Sequence, residues 1–506
     1  MRRLRRVDDP VPDAGARVDI TEGRFRVAVV GGGLAGAAAA TVLAERGATV
    51  TLFEREEALG GRLSGWPERL VTGERVEMER GFHAFFRQYH NVRNLMRRFD
   101  PDLRGLRPVP DYPLLGPNGA RESFAGLPTR PPLNLIALIR RTPSLDWRAL
   151  RAMNGPMAGE MLQFDPEETY RRLDTTSAGD YLDAVGFPPE ARQMLFEVFA
   201  RSFFNDEREM SAAELVMMFH FYFLGSDEGL AFDVLDEPFS DSVWRPLARH
   251  LDALRVDIRT GAPVDAVERA GDGWRVSDVA VDAVVLALDV EGLRRVVADS
   301  PDVGDDEWRA DVAALTAAPP FAVWRLWLDR PSAPMREPFV GTAGLGIIDN
   351  VSWVHLCEGE SRRWALRTGG SVVELHAYGL SAGHDEAQVK AELRASLHDL
   401  CPETVDARVV DERFLLRADC PNFERGSHAR RPGTATPDPT VVLAGDLVRL
   451  SFPTALMERA VASGFLAANR LLATRRVAPE PVWSIPPRGV LAPLARRQRT
   501  APVRRA

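Results

Sequence analysis

The chain has 506 residues, of which 45% are hydrophobic and 27% are charged, so we expect a globular protein with two or more lobes. The formal net charge of −8 argues against a nucleic-acid partner, which would require a basic face. The three cysteines, Cys357, Cys401 and Cys420, are too widely spaced to predict a metal site and favour a reducing, cytoplasmic location.

The N-terminal segment begins with MRRLRRVDDPVPD, which is basic and lacks the apolar run of a signal peptide. We expect residues 1–23 and the arginine-rich residues 481–506 to be flexible. The longest apolar run, residues 215–225, is too short to span a bilayer and contains His220. These patterns predict a protein that does not cross a membrane.

Residues 26–54 contain the first motif, which reads RVAVVGGGLAGAAAATVLAERGATVTLFE. The β-branched opening predicts a buried parallel strand, and the alanine-rich stretch predicts a helix that ends near Gly47. A second predicted strand ends at Glu54. Between the first strand and the helix lie glycines with G-x-G-x-x-G spacing, at Gly31, Gly33 and Gly36.

Each part of this motif has a physical task in binding a pyrophosphate. Gly31 permits a tight turn, Gly33 lets the pyrophosphate approach the backbone, and Gly36 lets the helix pack closely on the strand. The helix N-terminus offers free N–H groups and the positive end of its dipole. Glu54 can accept hydrogen bonds from ribose hydroxyls and would repel a 2′-phosphate. The motif therefore predicts an adenosine diphosphate site, which suits FAD and NAD equally at this point.

Two further segments favour FAD over NAD. Gly60 and Gly61 make a flexible turn, and Arg62 is a planar donor suited to a phosphate or to the edge of a flavin. Residues 440–448 predict a short buried strand that runs into Asp446 and precedes a strongly amphipathic helix. An acid at this position can hold the ribityl hydroxyls, and the helix N-terminus can face the electron-rich pyrimidine edge of a flavin.

Residues 79–86, ERGFHAFF, combine two charges, an imidazole and three phenylalanines, which suits neither a buried strand nor a solvent-exposed loop. His83 is either a core histidine bonded to a carbonyl or a polar group at a reacting site. The stretch 216–224, VMMFHFYFL, is typical of a core helix, but methionines and aromatic rings also suit a tunnel for a long apolar ligand. Glu214 and His220 are the polar candidates on this helix.

A set of motifs extends from residue 25 to residue 470, and includes VAVVGGGLAGAAAA, FERE, LGGR, GFHAFF, VDAVVLALD and VVLAGD. This set resembles that of FAD-dependent carotenoid desaturases, which are amine-oxidase-like flavoproteins. Longer stretches, such as RGFHAFFRQYHNVRNLMRRFDP and PTALMERA, look like those of the carotene desaturase/methyltransferases called isorenieratene synthases. The resemblance implies that FAD is bound by Gly31, Gly33, Gly36, Glu54, Arg55, Gly61, Arg62, Val264, Gly445 and Asp446.

The resemblance also implies an α/β fold, in which a Rossmann-type FAD-binding domain of the amine oxidase type is joined to a discontinuous α+β substrate lobe. Within the lobe, FAVWRLWLDR and GSVVELHAYGL predict strands. Val264 is expected in a strand whose backbone pairs with adenine. The FAD-binding domain is expected to comprise residues 24–112, 240–300 and 435–475, and the substrate lobe residues 113–239 and 301–434, with a helical part at 140–235.

In flavoproteins of this kind, the segment that matches residues 79–86 runs beside the isoalloxazine ring. By this resemblance, Gly81 permits close approach to the flavin, and Phe82, Phe85 and Phe86 line an apolar cavity. The catalytic candidates are His83 as the base, Glu79 or Arg80 as the group that sets its charge, and Glu214 as an alternative base.

The resemblance implies a FAD-dependent oxidoreductase that desaturates and aromatises the β-ionone rings of a carotene with a 1,2-methyl shift, converting β-carotene to an isorenieratene-type product. Three alternatives stay open, namely desaturation of a linear carotene without rearrangement, a flavin amine oxidase, and binding of a prenyl lipid without chemistry. The sequence has no Rieske-type pair of Cys and His residues. We therefore expect electrons to pass to an external acceptor.

A carotene substrate must pass directly from a bilayer into the protein, since exposing each methylene to water costs ~0.8 kcal/mol. Residues 130–141, RPPLNLIALIRR, carry a short apolar run between arginines, which suits contact with a membrane surface but also suits an interior helix. The tail from Pro481 holds six arginines and no acid, and Arg2, Arg3, Arg5 and Arg6 add positive charge at the other end. We expect peripheral association with the cytoplasmic membrane.

Overall fold

A computed structural model of the protein shows a five-stranded parallel sheet at the centre of the expected FAD-binding domain. Apart from one edge strand, its strands are almost wholly buried and apolar, as expected for a sheet covered on both faces. The strand order is Asp257–Arg259, Thr49–Phe53, Arg26–Val30, Ala283–Leu286 and Val441–Leu443. The structure describes residues 4–19, 24–142, 147–197, 201–332, 337–381 and 383–488.

Two long helices pack against each other on this sheet, Leu34–Glu45 and Leu456–Ala473. Small side chains allow a close approach, because a Cβ built on Gly464 would lie 2.3 Å from the carbonyl oxygen of Ala35. The first helix ends at Glu45 with Arg46 as its C-cap, and Gly47 follows with a φ of +88°, which confirms the predicted end of the helix.

The expected substrate lobe contains a seven-stranded sheet, and its second strand, Phe321–Leu328, is buried along its whole length. The strand Ser371–Ala377 pairs antiparallel with it, so both strands predicted for this lobe are confirmed. The helix Glu386–Leu400 covers one face of the sheet through Val389, Leu393 and Leu397. The strand order is Val409–Arg417, Phe321–Leu328, Ser371–Ala377, Asn350–Trp353, Phe339–Thr342, Leu114–Leu115 and Arg121–Glu122.

Several smaller sheets are separate from the parallel sheet and the seven-stranded sheet. The hairpin Gly65–Arg69 and Arg75–Glu79 leads into residues 79–86, and the strand Phe85–Phe86 then pairs with Phe232–Leu235. The remaining small-sheet strands are Leu106–Pro108, Val267–Ala270, Gly273–Val276 and Val279–Val281.

Helices dominate the described residues from 133 to 224, whereas residues 232–235 form a strand. The helices of this region are Leu133–Arg141, Trp147–Ala152, Gly155–Met161, Glu168–Leu173, Ala178–Val185, Pro189–Ala191 and Ala212–Phe219, with π-helical segments Arg192–Glu197 and His220–Leu224. The other helices are His90–Met96, Arg245–Ala253, Val290–Ala298, Asp306–Ala313, Val354–Cys357 and Gly359–Thr368, with π-helical Ser240–Trp244 and short 3₁₀ turns at Gly61–Leu63, Pro117–Gly119 and Pro402–Thr404.

The prediction of flexible termini is wrong for the parts that the structure describes. The strand Arg5–Arg6 pairs antiparallel with Trp483–Ser484, and the N–H of Val482 donates to the buried carboxylate of Asp8 at 2.9 Å. These contacts satisfy backbone groups that a free tail would leave to water. Arg2, Arg3 and the tail from residue 489 onward lie outside the described residues.

Candidate functional site

The glycine turn before the helix Leu34–Glu45 has room only for glycine at two positions. Gly31 has a φ of +110°, and a Cβ there would lie 2.2 Å from the carbonyl oxygen of Ala287. A Cβ on Gly36 would lie 1.9 Å from the carbonyl oxygen of Gly31. The helix starts after Gly33 without a side-chain cap, so its first N–H groups are available to an anionic ligand.

Glu54 lies directly after the strand Thr49–Phe53 and faces this turn. Its carboxylate accepts hydrogen bonds from the N–H of Gly32 at 2.7 Å and from the N–H of Glu56 at 2.9 Å. A carboxylate has about four acceptor positions. These two bonds fix its orientation and leave capacity for ribose hydroxyls.

The loop after the strand Asp257–Arg259 closes this end of the sheet. The N–H of Ala262 donates to the carbonyl of Glu54, which keeps the segment with Val264 next to the sheet edge. Val264 is buried, but it lies in an extended loop, so the expected strand at this position is wrong. Arg55 is half exposed and pairs with Asp289 at 3.2 Å, so its guanidinium already has a partner in the protein.

A second glycine pair lies against the glycine turn. Gly60 forms a backbone bridge with Gly33, and a Cβ on Gly61 would lie 3.3 Å from the Cα of Gly33. Arg62 then forms a two-bond ion pair with Asp446, at 2.8 and 2.5 Å. Arg62 and Asp446 are 384 positions apart in the sequence, and each is predicted separately to contact FAD. The ion pair brings them together.

The carboxyl end of the strand Val441–Leu443 is tied to the helix that follows it. Gly445 has a φ of +140°, and its N–H donates to the hydroxyl of Ser463 at 2.9 Å. This contact holds the backbone before Asp446 against the middle of the helix Leu456–Ala473. A carboxylate and a guanidinium at this edge provide both an acceptor for hydroxyls and donors for phosphate.

Glu79 and Arg80, at the start of the ERGFHAFF segment, point to different partners. The carboxylate of Glu79 accepts a hydrogen bond from the N–H of Phe239 at 2.7 Å and lies 3.3 Å from the guanidinium of Arg325. Arg80 pairs with Asp419 at 2.5 Å. Both side chains are thus engaged with the protein.

Arg325, Glu374 and His376 form a buried network that the sequence analysis missed. The guanidinium of Arg325 donates to Glu374 at 2.8 Å, and the other oxygen of Glu374 accepts from Nε2 of His376 and from the N–H of Phe82, both at 2.8 Å. The ring of His376 lies so close to Gly81 that a Cβ there would be 2.7 Å from its Cε1. The network therefore fixes the backbone of residues 81–82.

A sequence signal for this network exists. Arg325 is the charged residue within the otherwise apolar strand Phe321–Leu328. Glu374 and His376 are two residues apart in Ser371–Ala377, so they share one face of that strand. Charged side chains inside buried strands require partners, which makes such positions candidates for a polar network.

Two buried carboxylates share the single guanidinium of Arg325. Burial opposes ionisation of Glu374, but Arg325 and His376 hold its pKa at about 2. Burial raises the pKa of Glu79 to about 7, and the more distant Arg325 offsets this rise only in part. Glu374 is consequently a fixed anion, whereas Glu79 gains or loses a proton near neutral pH.

The raised pKa of Glu79 predicts a pH-dependent stability. Because its pKa rises from 4.5 to about 7 on folding, the folded state binds the proton more tightly, and the free energy of unfolding falls as pH increases through this window. The substitution Glu79→Gln keeps an acceptor for Phe239 and removes the titration. Between about pH 5 and about pH 8, the free energy of unfolding should therefore fall less in Glu79→Gln than in the wild type, by on the order of 3 kcal/mol.

Urea unfolding at several pH values measures this effect. Glu57→Gln, at an exposed glutamate, serves as the control and should keep the wild-type pH dependence. A Glu79→Gln variant with an unchanged pH slope would show that Glu79 does not retain a proton in the folded state.

His83 is partly exposed and stands edge-on to the ring of Phe239, with 5.4 Å between ring centroids. Its Nδ1 lies 2.8 Å from the carbonyl oxygen of Gly81, so the Nδ1–H donates and Nε2 is left as an acceptor. Shielding from water lowers the pKa of His83 to about 4, and nearby positive charge, including Arg80, contributes. Of the two residues predicted to set the charge of His83, Arg80 therefore affects its pKa. The carboxylate of Glu79 instead contacts Phe239 and Arg325.

The three phenylalanines of the segment have different surroundings. Phe82 stacks on Phe339 with ring centroids 4.6 Å apart, and Phe86 packs against Tyr222 at 4.8 Å. Phe85 is 1% exposed and belongs to the hydrophobic core, so the expectation that it lines a cavity is wrong. Next to His83 in the chain begins an aromatic cluster, called the aromatic wall below, whose members Tyr222 and Phe232 are each 2% exposed; it consists of Phe82, Phe86, Tyr112, Tyr222, Phe232 and Phe339.

Glu214 is not suited to the role of an alternative base. Its carboxylate is buried and pairs with Arg431 and, at 3.3 Å, with Arg459. Burial opposes ionisation, but the two arginines hold the pKa of Glu214 at about 2. A carboxylate with such a low pKa does not take up a proton near neutral pH, so this prediction is wrong.

His220 is a core histidine. It is fully buried, stacks on Phe164, and its Nε2 lies 2.8 Å from the carbonyl oxygen of Pro486. Almost all side chains of residues 212–224 are likewise buried. Among the described residues, no group of His, Cys, Asp and Glu side chains is arranged to hold a metal ion.

The glycine turn, the acid at the second strand and the Arg62–Asp446 pair agree with a known family. Residues 34–472 match the family of flavin containing amine oxidoreductases. The chain belongs to this family. The resemblance to amine-oxidase-like flavoproteins is thereby confirmed.

Several characterised relatives of this chain within the family have names that refer to carotenoids. The carotenoid phi-ring synthase of Streptomyces griseus is 52% identical over 491 residues, which cover 96% of this chain and 95% of that protein. The carotenoid phi-ring synthase of Chlorobaculum tepidum is 27% identical, covering 92% of this chain and 91% of that protein. The zeta-carotene desaturase of Synechocystis sp. is 25% identical over 54% of this chain and 60% of that protein.

Solved structures of other proteins share the fold. A putrescine oxidase superimposes with a TM-score of 0.66 at 17% identity, covering 89% of this chain and 100% of that one. A putative protoporphyrinogen oxidase from Exiguobacterium sp. gives a TM-score of 0.59 at 18% identity, covering 87% and 97%. The predicted fold class is therefore confirmed.

The protein is a FAD-dependent oxidoreductase of this family, and its residues fit the cofactor. Gly31 and Gly36 leave a turn that no Cβ could enter, Gly33 faces Gly61 across a narrow gap, and Glu54 is oriented towards the turn. The residues that would hold the adenosine diphosphate and ribityl parts are Gly31, Gly33, Gly36, Glu54, Gly61, Arg62, Gly445 and Asp446.

Proposed function

We propose that the protein desaturates and aromatises the β-ionone rings of a carotene, with a 1,2-methyl shift that retains all carbon atoms. The observation that carries this proposal is 52% identity to a carotenoid phi-ring synthase over 96% of the chain. The aromatic wall beside His83 supports it, since an apolar polyene requires such a surface.

The chemistry of the ring explains what the protein must supply. A β-ionone ring carries a gem-dimethyl carbon that prevents aromatisation until one methyl group moves to a neighbouring carbon. When bound, the flavin would accept hydride from the ring. The chain must exclude water, orient the ring, stabilise developing positive charge and accept the released protons.

His83 has the properties of the proton acceptor. Its Nδ1–H is committed to Gly81, and its lowered pKa keeps Nε2 unprotonated at neutral pH. The faces of Phe82 and Phe86 provide negative quadrupole potential that stabilises a cationic ring. The bond from Phe82 to Glu374 holds this part of the backbone in place.

Desaturation of a linear carotene without rearrangement is the second candidate, favoured by the similarity to a zeta-carotene desaturase. A flavin amine oxidase is favoured only by the shared fold with putrescine oxidase. The presence of all the predicted FAD-binding residues argues against a protein that binds a lipid without catalysing a reaction. Reduced flavin must be reoxidised, and we infer an external electron acceptor.

Expression in cells that accumulate β-carotene, and separately in cells that accumulate a linear carotene, distinguishes these functions. Ring aromatisation predicts a new carotenoid in the first cells only. A product formed only from the linear carotene would favour the second candidate, and a purified protein without flavin would revive the lipid-binding alternative.

We propose that the carotene enters from the cytoplasmic face of a membrane, to which the protein binds peripherally. The helix Leu133–Arg141 presents Leu133 and Ile136 to the surface, 54% and 44% exposed, whereas Leu138 is buried on its inner face. Arg130 and Arg140 flank this exposed strip. No helix within the described ranges is both long and apolar enough to cross a bilayer.

Flotation with anionic liposomes tests this surface. Leu133 and Ile136 are replaced together by Ser. Binding at high salt should be abolished, because it depends on apolar insertion, which is insensitive to salt. Binding at low salt should weaken only in part, because electrostatic attraction to the anionic lipids persists. Val71→Ser, at a site 78% exposed, is a control outside the strip and should bind like the wild type. Full binding of the double variant at high salt would place the membrane contact elsewhere.

A further inference from the structure

Two buried arginines meet where the substrate lobe contacts the FAD-binding domain. Arg459 belongs to the helix Leu456–Ala473, and Arg431 precedes the strand Val441–Leu443. They are 4% and 3% exposed, and both guanidinium groups lie over the ring of Phe423, at 4.8 and 4.7 Å. Two like charges are therefore held close together away from water.

Among the described carboxylates near these arginines, one pairs with them directly. Glu214 is the carboxylate that pairs with both arginines. Burial and the arginines lower the pKa of His428 to about 3, so this ring is neutral. The oxygens of Asp174 accept from the hydroxyl of Ser211 and the N–H of His428, and Arg449, at the surface, adds further positive charge. Asp174 is thus a second buried carboxylate, but Glu214 is the one with a described ion pair to the two arginines.

Several donors of the cluster have no hydrogen-bond partner among the residues that the structure describes. They are Nε and Nη1 of Arg431, Nη1 of Arg459 and Oγ1 of Thr454, which is 2% exposed. All three residues line one small cavity, whose space is close to that of a single water molecule or monatomic anion. The rest of its wall is formed by Phe164, Tyr170, Met217, His428, Leu450 and Phe452.

We propose that this cavity binds a small monovalent inorganic anion of the size of chloride. Buried cations are costly unless they are paired, and guanidinium groups suit this task because they are weakly hydrated. The apolar walls and small volume disfavour sulfate or phosphate, whose larger, strongly hydrated oxygens would need further donors. The anion joins Arg459, in the helix Leu456–Ala473, to Arg431, which precedes the strand Val441–Leu443, and is no part of the proposed reaction.

Bromide gives a direct test, because its anomalous X-ray scattering identifies it in a crystal. FAD-loaded crystals grown with bromide should show an anomalous peak between Arg431, Arg459 and Thr454. Absence of this peak would overturn the proposal. A peak in the apoprotein that disappears when FAD binds would also overturn it, because the donors would then belong to the cofactor site.

Thermal unfolding of the FAD-loaded protein gives a second test at constant ionic strength. Exchange of gluconate, which is too large for the cavity, for chloride should raise the Tm by on the order of 2 °C and saturate. Thr454→Val removes one donor at nearly constant volume and should raise the chloride concentration for half-saturation about tenfold. Thr41→Val, at a buried threonine bonded to Ala37, is the control and should keep the wild-type chloride dependence. Equal chloride dependence of the wild type and Thr454→Val would contradict the assignment.

Discussion

Replacing Glu54 with arginine is expected to abolish FAD binding without unfolding the chain. The carboxylate of Glu54 bonds to the N–H of Gly32 and faces the glycine turn, so it is the acceptor available to the ribose. Arginine has no acceptor and would place a cation in the same position. Loss of charge-assisted hydrogen bonds at this site should weaken FAD binding at least about a hundredfold.

The flavin-to-protein ratio after gel filtration measures this loss, and circular dichroism checks folding. Glu56→Arg makes the same charge change two residues later, at a side chain 70% exposed, and should retain the cofactor. Full flavin occupancy in Glu54→Arg would mean that another residue binds the ribose.

Replacing His83 with alanine should retain FAD but reduce ring aromatisation about a hundredfold or more, because general base catalysis typically contributes that much. The imidazole of His83 is held in place by a hydrogen bond from its Nδ1–H to Gly81. Its Nε2 takes no part in that bond and can accept a proton. His384→Ala, at an exposed histidine far along the chain, is the control and should preserve activity.

The pH dependence separates a base from a structural role for His83. Because its pKa is lowered to about 4, the wild-type rate should not fall as pH decreases from about 8 to about 6 through protonation of this residue. His83→Gln keeps a side chain that can donate to Gly81, yet should be as inactive as the alanine variant. Wild-type product yield from His83→Ala would place the base elsewhere.

The FAD-binding residues could be predicted from the sequence because most of the signals for them are local. Gly36 is required by a contact with the backbone of Gly31 in the same turn, and Glu54 follows the next strand directly, whereas the contact of Gly31 with Ala287 joins distant parts of the chain. Asp446 was found from the same kind of pattern, a short apolar strand that ends in an acid. Only its partner in the structure, Arg62, depends on the three-dimensional arrangement.

The catalytic candidates were less predictable because their charge states depend on residues far apart in sequence. Glu79 meets Arg325 from 246 positions away, and Glu214 meets Arg431 from 217 positions away. These pairings turn Glu214 into a fixed anion and direct Glu79 away from His83. A run of charged and aromatic residues identifies such a segment but does not reveal which side chain faces which partner.

The pairing of the termini was unpredictable for a related reason. Arg5 and Arg6 suggest a solvated tail, yet they form a strand with Trp483–Ser484 at the other end of the chain. Two-residue strands have no periodicity that a sequence pattern could display.

The most direct test of the proposed function is the structure of the product formed from β-carotene by cells that express the protein. Mass spectrometry should show loss of hydrogen without loss of carbon. Proton NMR should show new aromatic ring protons, together with loss of the gem-dimethyl signal and a gain of aryl methyl signals. A product that has lost a methyl carbon, or one that keeps its gem-dimethyl signal, would contradict aromatisation by methyl migration. Unchanged β-carotene in the presence of FAD-loaded protein would contradict ring modification itself.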